Sequence, residues 1–149
     1  MRSVILIGLV LLVACTSEPH SLPDVHRVMA QTCSPSSGDT NGSDECVADA
    51  DCPSGGVCSC AGSTFEYAHA TRNICVQANC RVDADCGAYL CSPSDSDGGP
   101  FYGVQGYYCH TGNDTCGRDS DCVQNGMQGY CMFAAEVAHW TCAYTFAAG

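Results

Sequence analysis

Three short segments of the chain combine cysteine with paired aspartates, residue types that can bind a metal ion or take part in redox chemistry. They read CVADADC, CRVDADC and CGRDSDC, and they begin at Cys46, Cys80 and Cys116. All three fit the pattern Cys-x-x-Asp-x-Asp-Cys and recur with a period of about 35 residues, which is typical of a repeat protein. The chemistry therefore has to be judged for a unit that occurs three times, not for a single motif.

The aspartate pairs are compatible with either a Ca²⁺ site or a hydrogen-bonded turn. Ca²⁺ takes about six to eight oxygen ligands, and one Asp-x-Asp pair supplies too few of them. Alternatively, the carboxylates accept hydrogen bonds from nearby backbone N–H groups and fix the turn between the two cysteines. Repetition favours the turn, because every copy of a scaffold needs it whereas a binding site need not recur. We therefore predict no metal and no cofactor, and keep as weak Ca²⁺ candidates Asp49, Asp51, Asp83, Asp85, Asp119 and Asp121.

Cysteine is the most informative residue type of this chain, with 15 copies among 149 residues. Such a density is typical of exported proteins in which disulfide bonds replace a large hydrophobic core. Each unit contains four cysteines, and the two left over, Cys33 and Cys60, are predicted to pair with each other. Within a unit the sequence allows three connectivities, and we predict first-to-third and second-to-fourth, which ties the turn to both strands of a following hairpin. The predicted disulfide cysteines are Cys33, Cys46, Cys52, Cys58, Cys60, Cys75, Cys80, Cys86, Cys91, Cys109, Cys116, Cys122, Cys131 and Cys142.

The other reactive side chains form no pattern that indicates catalysis. The segment Cys58-Ser59-Cys60 is compatible with a redox pair or a zinc site, but structural disulfides are favoured in an oxidising compartment. The histidines are scattered, and neither a nucleophile-elbow motif nor a metalloprotease-helix motif occurs. We predict no catalytic residues and therefore no enzymatic activity.

Aromatic side chains cluster in the second and third units and have two interpretations. Tyrosine and tryptophan are suited to anchoring a protein interface or stacking on a sugar. They are equally suited to packing over the disulfides as a minimal core. The residues concerned are Tyr102, Tyr107, Tyr108, Tyr130, Trp140 and Tyr144.

The N-terminus has the organisation of an export signal. Arg2 precedes an apolar run, Val4–Ala14, which is shorter than the ~20 residues that a membrane-spanning helix needs. The sequence Leu12-Val13-Ala14-Cys15 resembles the bacterial lipobox. That resemblance implies a cleaved signal peptide over residues 1–14, a lipidated Cys15 and a membrane as the partner of the lipid. The cysteine count agrees, because removing Cys15 leaves an even number for disulfides.

Charge limits the remaining partners and the location. Sixteen acidic residues against five arginines and no lysine give a formal net charge of −11. Such a surface repels nucleic-acid phosphates, so we predict no nucleic-acid partner. We expect an exported protein of the bacterial cell envelope. By resemblance to sorted lipoproteins, Thr16 directly after Cys15 favours the outer membrane or cell surface.

The repeats predict a small disulfide-rich fold with little helix, in which each unit is a Cys-x5-Cys turn followed by a short β-hairpin. We place a polar tether over residues 15–45 and the units over residues 46–79, 80–115 and 116–149. We expect one short helix in the tether, with Asp24 as its cap and Val25, Val28 and Met29 on one face.

The cysteine pattern of the units resembles the repeats of bacterial exported lipoproteins, which are similar to the N-terminal cysteine-rich domain of Dickkopf proteins. Those proteins are secreted ligands, so the resemblance implies an extracellular protein or glycan ligand. We therefore expect a lipid-anchored envelope protein with a non-enzymatic role in binding, adhesion or structural display. The alternatives are a protease inhibitor of the secreted type and a Ca²⁺-dependent binding module.

Overall fold

The computed structural model describes residues 25–36, 43–61, 72–96 and 99–144, and within these it gives only the backbone for residues 95–103. The signal segment, Cys15 and the first part of the tether lie outside these ranges, as does the side chain of Tyr102. Within them, no helix has the length and apolar character needed to cross a bilayer. The helical segments are short 3₁₀ turns at Asp49–Asp51, Pro53–Gly55, Asp83–Cys86 and Asp119–Asp121.

Eight short strands make up the rest of the regular structure in the described ranges. They are β1 (Val57–Ser59), β2 (Ile74–Ala78), β3 (Cys91–Ser96), β4 (Gly99–Cys109), β5 (Val123–Gln124), β6 (Met127–Gln128), β7 (Tyr130–Ala134) and β8 (His139–Ala143). Antiparallel pairing of β1 with β2, β3 with β4 and β7 with β8 gives each unit one hairpin after its aspartate turn. The predicted fold class is confirmed over the described residues: they form a small, disulfide-rich, mainly β structure whose helical segments are short 3₁₀ turns.

All seven disulfides join the predicted partners. Cys33 bonds to Cys60, and the units follow the first-to-third and second-to-fourth scheme: Cys46–Cys58 and Cys52–Cys75, Cys80–Cys91 and Cys86–Cys109, Cys116–Cys131 and Cys122–Cys142. In every unit the third and fourth cysteines lie directly opposite each other in the hairpin, as Cys58 and Cys75 do. Each of these facing cysteines bonds to a different end of the Cys-x5-Cys turn. The turn is thereby fastened to both strands.

The first and second units share one sheet, which the sequence did not predict. Strand β2 pairs with β4 in parallel, which gives a four-stranded sheet of order β1-β2-β4-β3. The register places Gln77 against Gly106. A Cβ at Gly106 would lie 2.7 Å from the carbonyl oxygen of Gln77, so the close approach of the two strands requires glycine here.

The apolar interior consists of three small clusters in which cysteine is the commonest residue. The cluster between the first two units adds Val57, Val76 and Tyr107, and the cluster of the third unit adds Trp140. The cluster around Cys33 and Cys46 consists of cysteines alone. None is a large core, so the covalent bonds supply much of what apolar burial supplies in bigger domains.

The helix expected after Asp24 does not form over the described part of that segment. Arg27 donates its backbone N–H to the carbonyl of Cys91, and its own carbonyl accepts the N–H of Asp83. Further on, Cys33 donates to the carbonyl of Val47. Because these backbone groups bond across to the first two units, they are not available for helical bonds within the segment. The segment is therefore held to the units at Arg27 and Cys33, within the range of the predicted tether.

Candidate functional site

The second aspartate of each pair closes its own turn. One carboxylate oxygen of Asp51 accepts the backbone N–H groups of Val47 and Ala48, at 2.8 and 2.9 Å. Asp85 makes the same two bonds with the second and third residues of its motif, and so does Asp121. The three carboxylates thus do in each copy what the turn interpretation requires.

The first aspartate of each pair reaches from the turn to the hairpin. Asp49 accepts the N–H of Cys58 at 3.0 Å, and the equivalent bonds run from Cys91 to Asp83 and from Cys131 to Asp119, at 2.9 and 2.8 Å. In every unit the first aspartate therefore holds the third cysteine beside the turn, and the same cysteine is also disulfide-bonded to that turn. Two carboxylates of one unit face different backbone groups, and no described group of acids converges on one point as a Ca²⁺ site requires.

The hydrogen bonds to these turns also affect ionisation. The N–H groups of Val47 and Ala48 hold the pKa of Asp51 below its usual value. The N–H groups of Arg81 and Val82 lower the pKa of Asp85 in the same way. Both carboxylates are accordingly kept charged, the state in which they accept hydrogen bonds most strongly.

The sulfur atoms of the cysteines lie close enough together to resemble metal sites. In each unit three sulfurs fall within 4.8 Å of one another, for example those of Cys46, Cys52 and Cys75. All of them belong to disulfides, and a metal such as Zn²⁺ is bound by the thiolate, not by a disulfide sulfur. The proximity reflects two adjacent disulfides in each unit.

One contact set, which we call the first junction, joins the N-terminal segment to the first two units through Arg27. This side chain is only 3% exposed, and its Nη2 donates to Oδ1 of Asp49 at 3.2 Å. The guanidinium carbon lies 4.8 Å from the centre of the Tyr107 ring, a cation–π distance. Burial raises the pKa of Tyr107, although the nearby Arg27 charge opposes this. The neighbouring His26 bonds to Asp83 at 2.8 Å, so two consecutive side chains engage the first aspartates of two units.

The first junction had no signal in the sequence. Arg27 is one of five arginines and stands in a polar segment without a repeat. Its Nε and Nη1 atoms, and Oδ2 of Asp49, are buried and have no hydrogen-bond partner among the described residues. Burying such an ion pair costs free energy of desolvation. Removing only one partner destabilises the fold strongly, because the other charge is then buried without a partner.

A second contact set, the second junction, joins the second and third units through stacked rings. Tyr108 stacks on Phe133 with ring centres 4.0 Å apart, and His110 stacks on Trp140 at 4.3 Å. Phe133 meets Trp140 edge to face. The indole N–H of Trp140 donates to the carbonyl of Cys109. The aromatic side chains that are described are thus used mainly inside the molecule, which favours the core interpretation over an exposed stacking platform.

Asp114 is the polar centre of the second junction. It is buried and accepts bonds from Nδ1 of His110 at 2.7 Å, from the Thr111 hydroxyl and from the backbone N–H of Trp140. Burial alone would raise the pKa of Asp114, but the bonds from His110 and Thr111 outweigh it and hold the pKa below its usual value. The other ring nitrogen of His110 is buried, and no described nucleophilic side chain is hydrogen-bonded to it.

The β5–β6 hairpin of the third unit is exposed at all four of its strand residues. Asn125 and Gly126 have positive φ angles of 53° and 79°, the combination of a two-residue hairpin turn that favours Asn-Gly. On either side of the turn, Val123 and Met127 are 57% and 46% exposed. The first two units have no hairpin between their second and third cysteines. The Asn-Gly pair between alternating apolar residues is a hairpin signal in the sequence, but this hairpin was not predicted.

The comparisons with known proteins leave the chain without an assigned family. No family model matches it, and neither a curated protein nor a solved structure matches it.

Proposed function

We propose that this chain is a lipid-anchored protein of the bacterial cell envelope that presents a disulfide-braced surface to an extracellular protein or glycan and catalyses no reaction. The seven disulfides are those of an exported protein. The lipobox-like Leu12-Val13-Ala14-Cys15 supports the anchor. The resemblance of the units to the cysteine-rich domain of a secreted ligand supports the binding role.

The exposed β5–β6 hairpin is the observation that carries the binding proposal. Many of the chemically versatile side chains that the structure describes are engaged in the scaffold: the paired aspartates hold turns, the cysteines form disulfides, and Tyr107, Tyr130 and Trp140 are buried. Val123 and Met127 instead face solvent on a hairpin that begins directly after Cys122, which is bonded to Cys142. An apolar hairpin held by a disulfide offers contact area and loses little conformational entropy on binding, which suits a binding surface.

Membrane fractionation of cells that produce the full chain tests the anchor. We expect the native protein in the membrane fraction with a lipid-mass adduct on Cys15, and the Cys15→Ala variant outside it. Thr16→Ala is the matched control and should stay with the membrane. Retention of the Cys15→Ala variant in the membrane would contradict the proposal.

Arrays of glycans and extracellular proteins test the binding role. The double variant Val123→Ser/Met127→Ser should lose at least about tenfold in affinity for any ligand that the native protein binds. The control is Val137→Ser, which removes another half-exposed valine outside the hairpin. The hairpin proposal is wrong if both variants bind as the native protein does, and the binding role itself is wrong if the native protein binds no array member.

A protease inhibitor is the second candidate, and the same hairpin favours it. A short exposed loop braced by disulfides at its base resists rearrangement after a protease docks on it. Inhibition assays against serine, cysteine and metalloprotease panels separate the candidates. Slowing of one protease, relieved by Val123→Ser/Met127→Ser but not by Val137→Ser, would favour the inhibitor, and inactivity against every panel member would exclude it for those classes.

A further inference from the structure

We propose that the Cys33–Cys60 disulfide is a thiol-exchange site, where attack by an external dithiol transfers the broken bond to Cys58. This disulfide is the additional staple of the first unit and has no counterpart in the described parts of the other two. It lies in the Cys58-Ser59-Cys60 segment, whose two cysteines belong to different disulfides. The site would take thiol-bearing molecules as its substrate class.

Contact between two disulfides is the geometric basis of this proposal. The Sγ atoms of Cys33 and Cys58, which are not bonded to each other, are 3.5 Å apart. That is about the van der Waals separation of two sulfurs, so a thiolate on Cys33 would already be in contact with the sulfur of Cys58. Thiol–disulfide exchange proceeds by this attack of a thiolate on a disulfide sulfur.

Solvent access selects the sulfur that is attacked first. Cys33 and Cys58 are buried, at 3% and 0% exposure, whereas Cys60 is half-buried. An external thiol therefore reaches Cys60 more readily than its bonded partner. Attack at Cys60 leaves Cys33 as the departing thiolate, next to Cys58.

The exchange balances in three steps. A thiolate of the dithiol bonds to the Cys60 sulfur, the Cys33–Cys60 bond breaks, and its electron pair leaves on Cys33. The Cys33 thiolate then bonds to Cys58, and the Cys46–Cys58 bond breaks to give a Cys46 thiolate that takes a proton from solvent. Finally, the second thiol of the dithiol, as its thiolate, attacks the dithiol sulfur that is bonded to Cys60. This closes a disulfide within the dithiol and releases Cys60 as a thiolate, which takes a proton from solvent. The dithiol is oxidised by two electrons, and the chain ends with a Cys33–Cys58 disulfide and thiols on Cys46 and Cys60.

The first unit is the place where such a transfer can occur. The Cys46 sulfur lies within 4.8 Å of both sulfurs of the Cys52–Cys75 disulfide, so the three disulfides of this unit form one continuous row. The second and third units also hold two adjacent disulfides each. What they lack, in the described ranges, is a more accessible third disulfide in contact with those two.

A pair of single-cysteine variants of the full chain tests the transfer. Both are made in a Cys15→Ala background, so that Cys60→Ser leaves one thiol, at Cys33, and Cys33→Ser leaves one thiol, at Cys60. Each is held at pH 8 to permit exchange, quenched in acid, unfolded, labelled with N-ethylmaleimide and mapped by tandem mass spectrometry. For Cys60→Ser we expect at least about a tenth of the label on Cys46, which corresponds to an exchange constant within tenfold of unity. For the Cys33→Ser control we expect the label on Cys60.

Label confined to Cys33 in the Cys60→Ser variant would overturn the proposal, as would equal labelling of Cys46 in both variants. The native protein provides a test that does not depend on how the variants fold. With less than one equivalent of dithiothreitol, we expect the first labels on Cys46 and Cys60 together with a Cys33–Cys58 disulfide. First labels in the second or third unit, or on Cys33 and Cys60 with Cys46–Cys58 intact, would refute the transfer.

Discussion

The first and second junctions both join neighbouring parts of the chain, but they do so with different interactions. The first joins the N-terminal segment to the first two units through the buried ion pair of Arg27 with Asp49 and the cation–π contact of Arg27 with Tyr107. The second joins units through stacked rings around Asp114. Both use strand β4, whose adjacent residues Tyr107 and Tyr108 serve the first and the second junction respectively. Because successive side chains of a strand point to opposite faces, one strand can serve both neighbours.

The difference shows how a chain of small repeats becomes one structure. A unit of this size buries too little apolar surface to be stable without cross-links, so each has at least two disulfides. Disulfides within a unit do not orient it against the next unit. That orientation comes from contacts that the units do not share: the ion pair of Arg27 with Asp49 at the first junction and the stacked rings at the second.

Loss of the carboxylate at the first junction should have the largest effect on stability. Asp49→Ala leaves Arg27 as an unpaired buried charge and Cys58 without its acceptor, so we expect the free energy of unfolding to fall by about 4–5 kcal/mol. Asp119→Ala is the matched control, since Asp119 is exposed and accepts the same third-cysteine N–H. Urea unfolding should show a loss of only about 1–2 kcal/mol for the control. Equal losses would mean that Arg27 adds nothing to the first junction.

Truncation of the ring at the centre of the second junction comes next. Trp140 is 2% exposed, and Trp140→Ala removes its stacking on His110 and its bond to the Cys109 carbonyl. We expect a loss of about 4 kcal/mol in the free energy of unfolding, the usual range for a large buried aromatic. Val137→Ala, at an exposed position, should change it by less than about 0.5 kcal/mol. A loss below 1 kcal/mol for Trp140→Ala would show that the units do not depend on this contact.

Removal of the Cys33–Cys60 disulfide should lower the free energy of unfolding slightly less than Asp49→Ala or Trp140→Ala does. Cys33→Ser/Cys60→Ser opens a loop with a sequence separation of 27, for which chain entropy predicts a loss of about 3.5 kcal/mol. Calorimetry of the double variant measures this loss against the native protein. Because Arg27 still holds the segment to the first two units, the variant should keep the Arg27–Asp49 contact. Exchange protection of the Arg27 amide, which donates to Cys91, reports on that contact, and its disappearance would show that the staple maintains the first junction.

Lowering the pH should weaken the second junction, and we expect this to be the smallest of the four effects on stability. The pKa of Asp114 is lower in the folded protein than the ~3.9 of an unfolded aspartate. Its contribution to stability is therefore fully present above about pH 4 and is lost as the pH falls through the folded pKa. The chain has one tryptophan, so the emission of Trp140 reports on this junction directly. Asp114→Asn should abolish the acid-dependent change in emission, and its persistence in that variant would assign the change to another carboxylate.

Much of the fold could be predicted because it repeats. Three copies of one pattern identified the units, the cysteine count left one pair outside them, and a single connectivity fastened each turn to both strands. The turn interpretation of the aspartates is also confirmed, by the bonds that Asp51 and Asp49 accept. The helix expected after Asp24 was wrong because local periodicity was weighed without the bonds that Arg27 makes to the second unit.

By itself, the sequence determined the covalent framework and the turns, since these depend on cysteine spacing and on contacts within a few residues. Only the tertiary structure decided how the units join. Arg27 lies 22 positions before Asp49 and belongs to no repeat, and Trp140 bonds to a carbonyl 31 positions away. Contacts of this kind leave no periodic trace in the sequence, because their geometry exists only after the chain has folded.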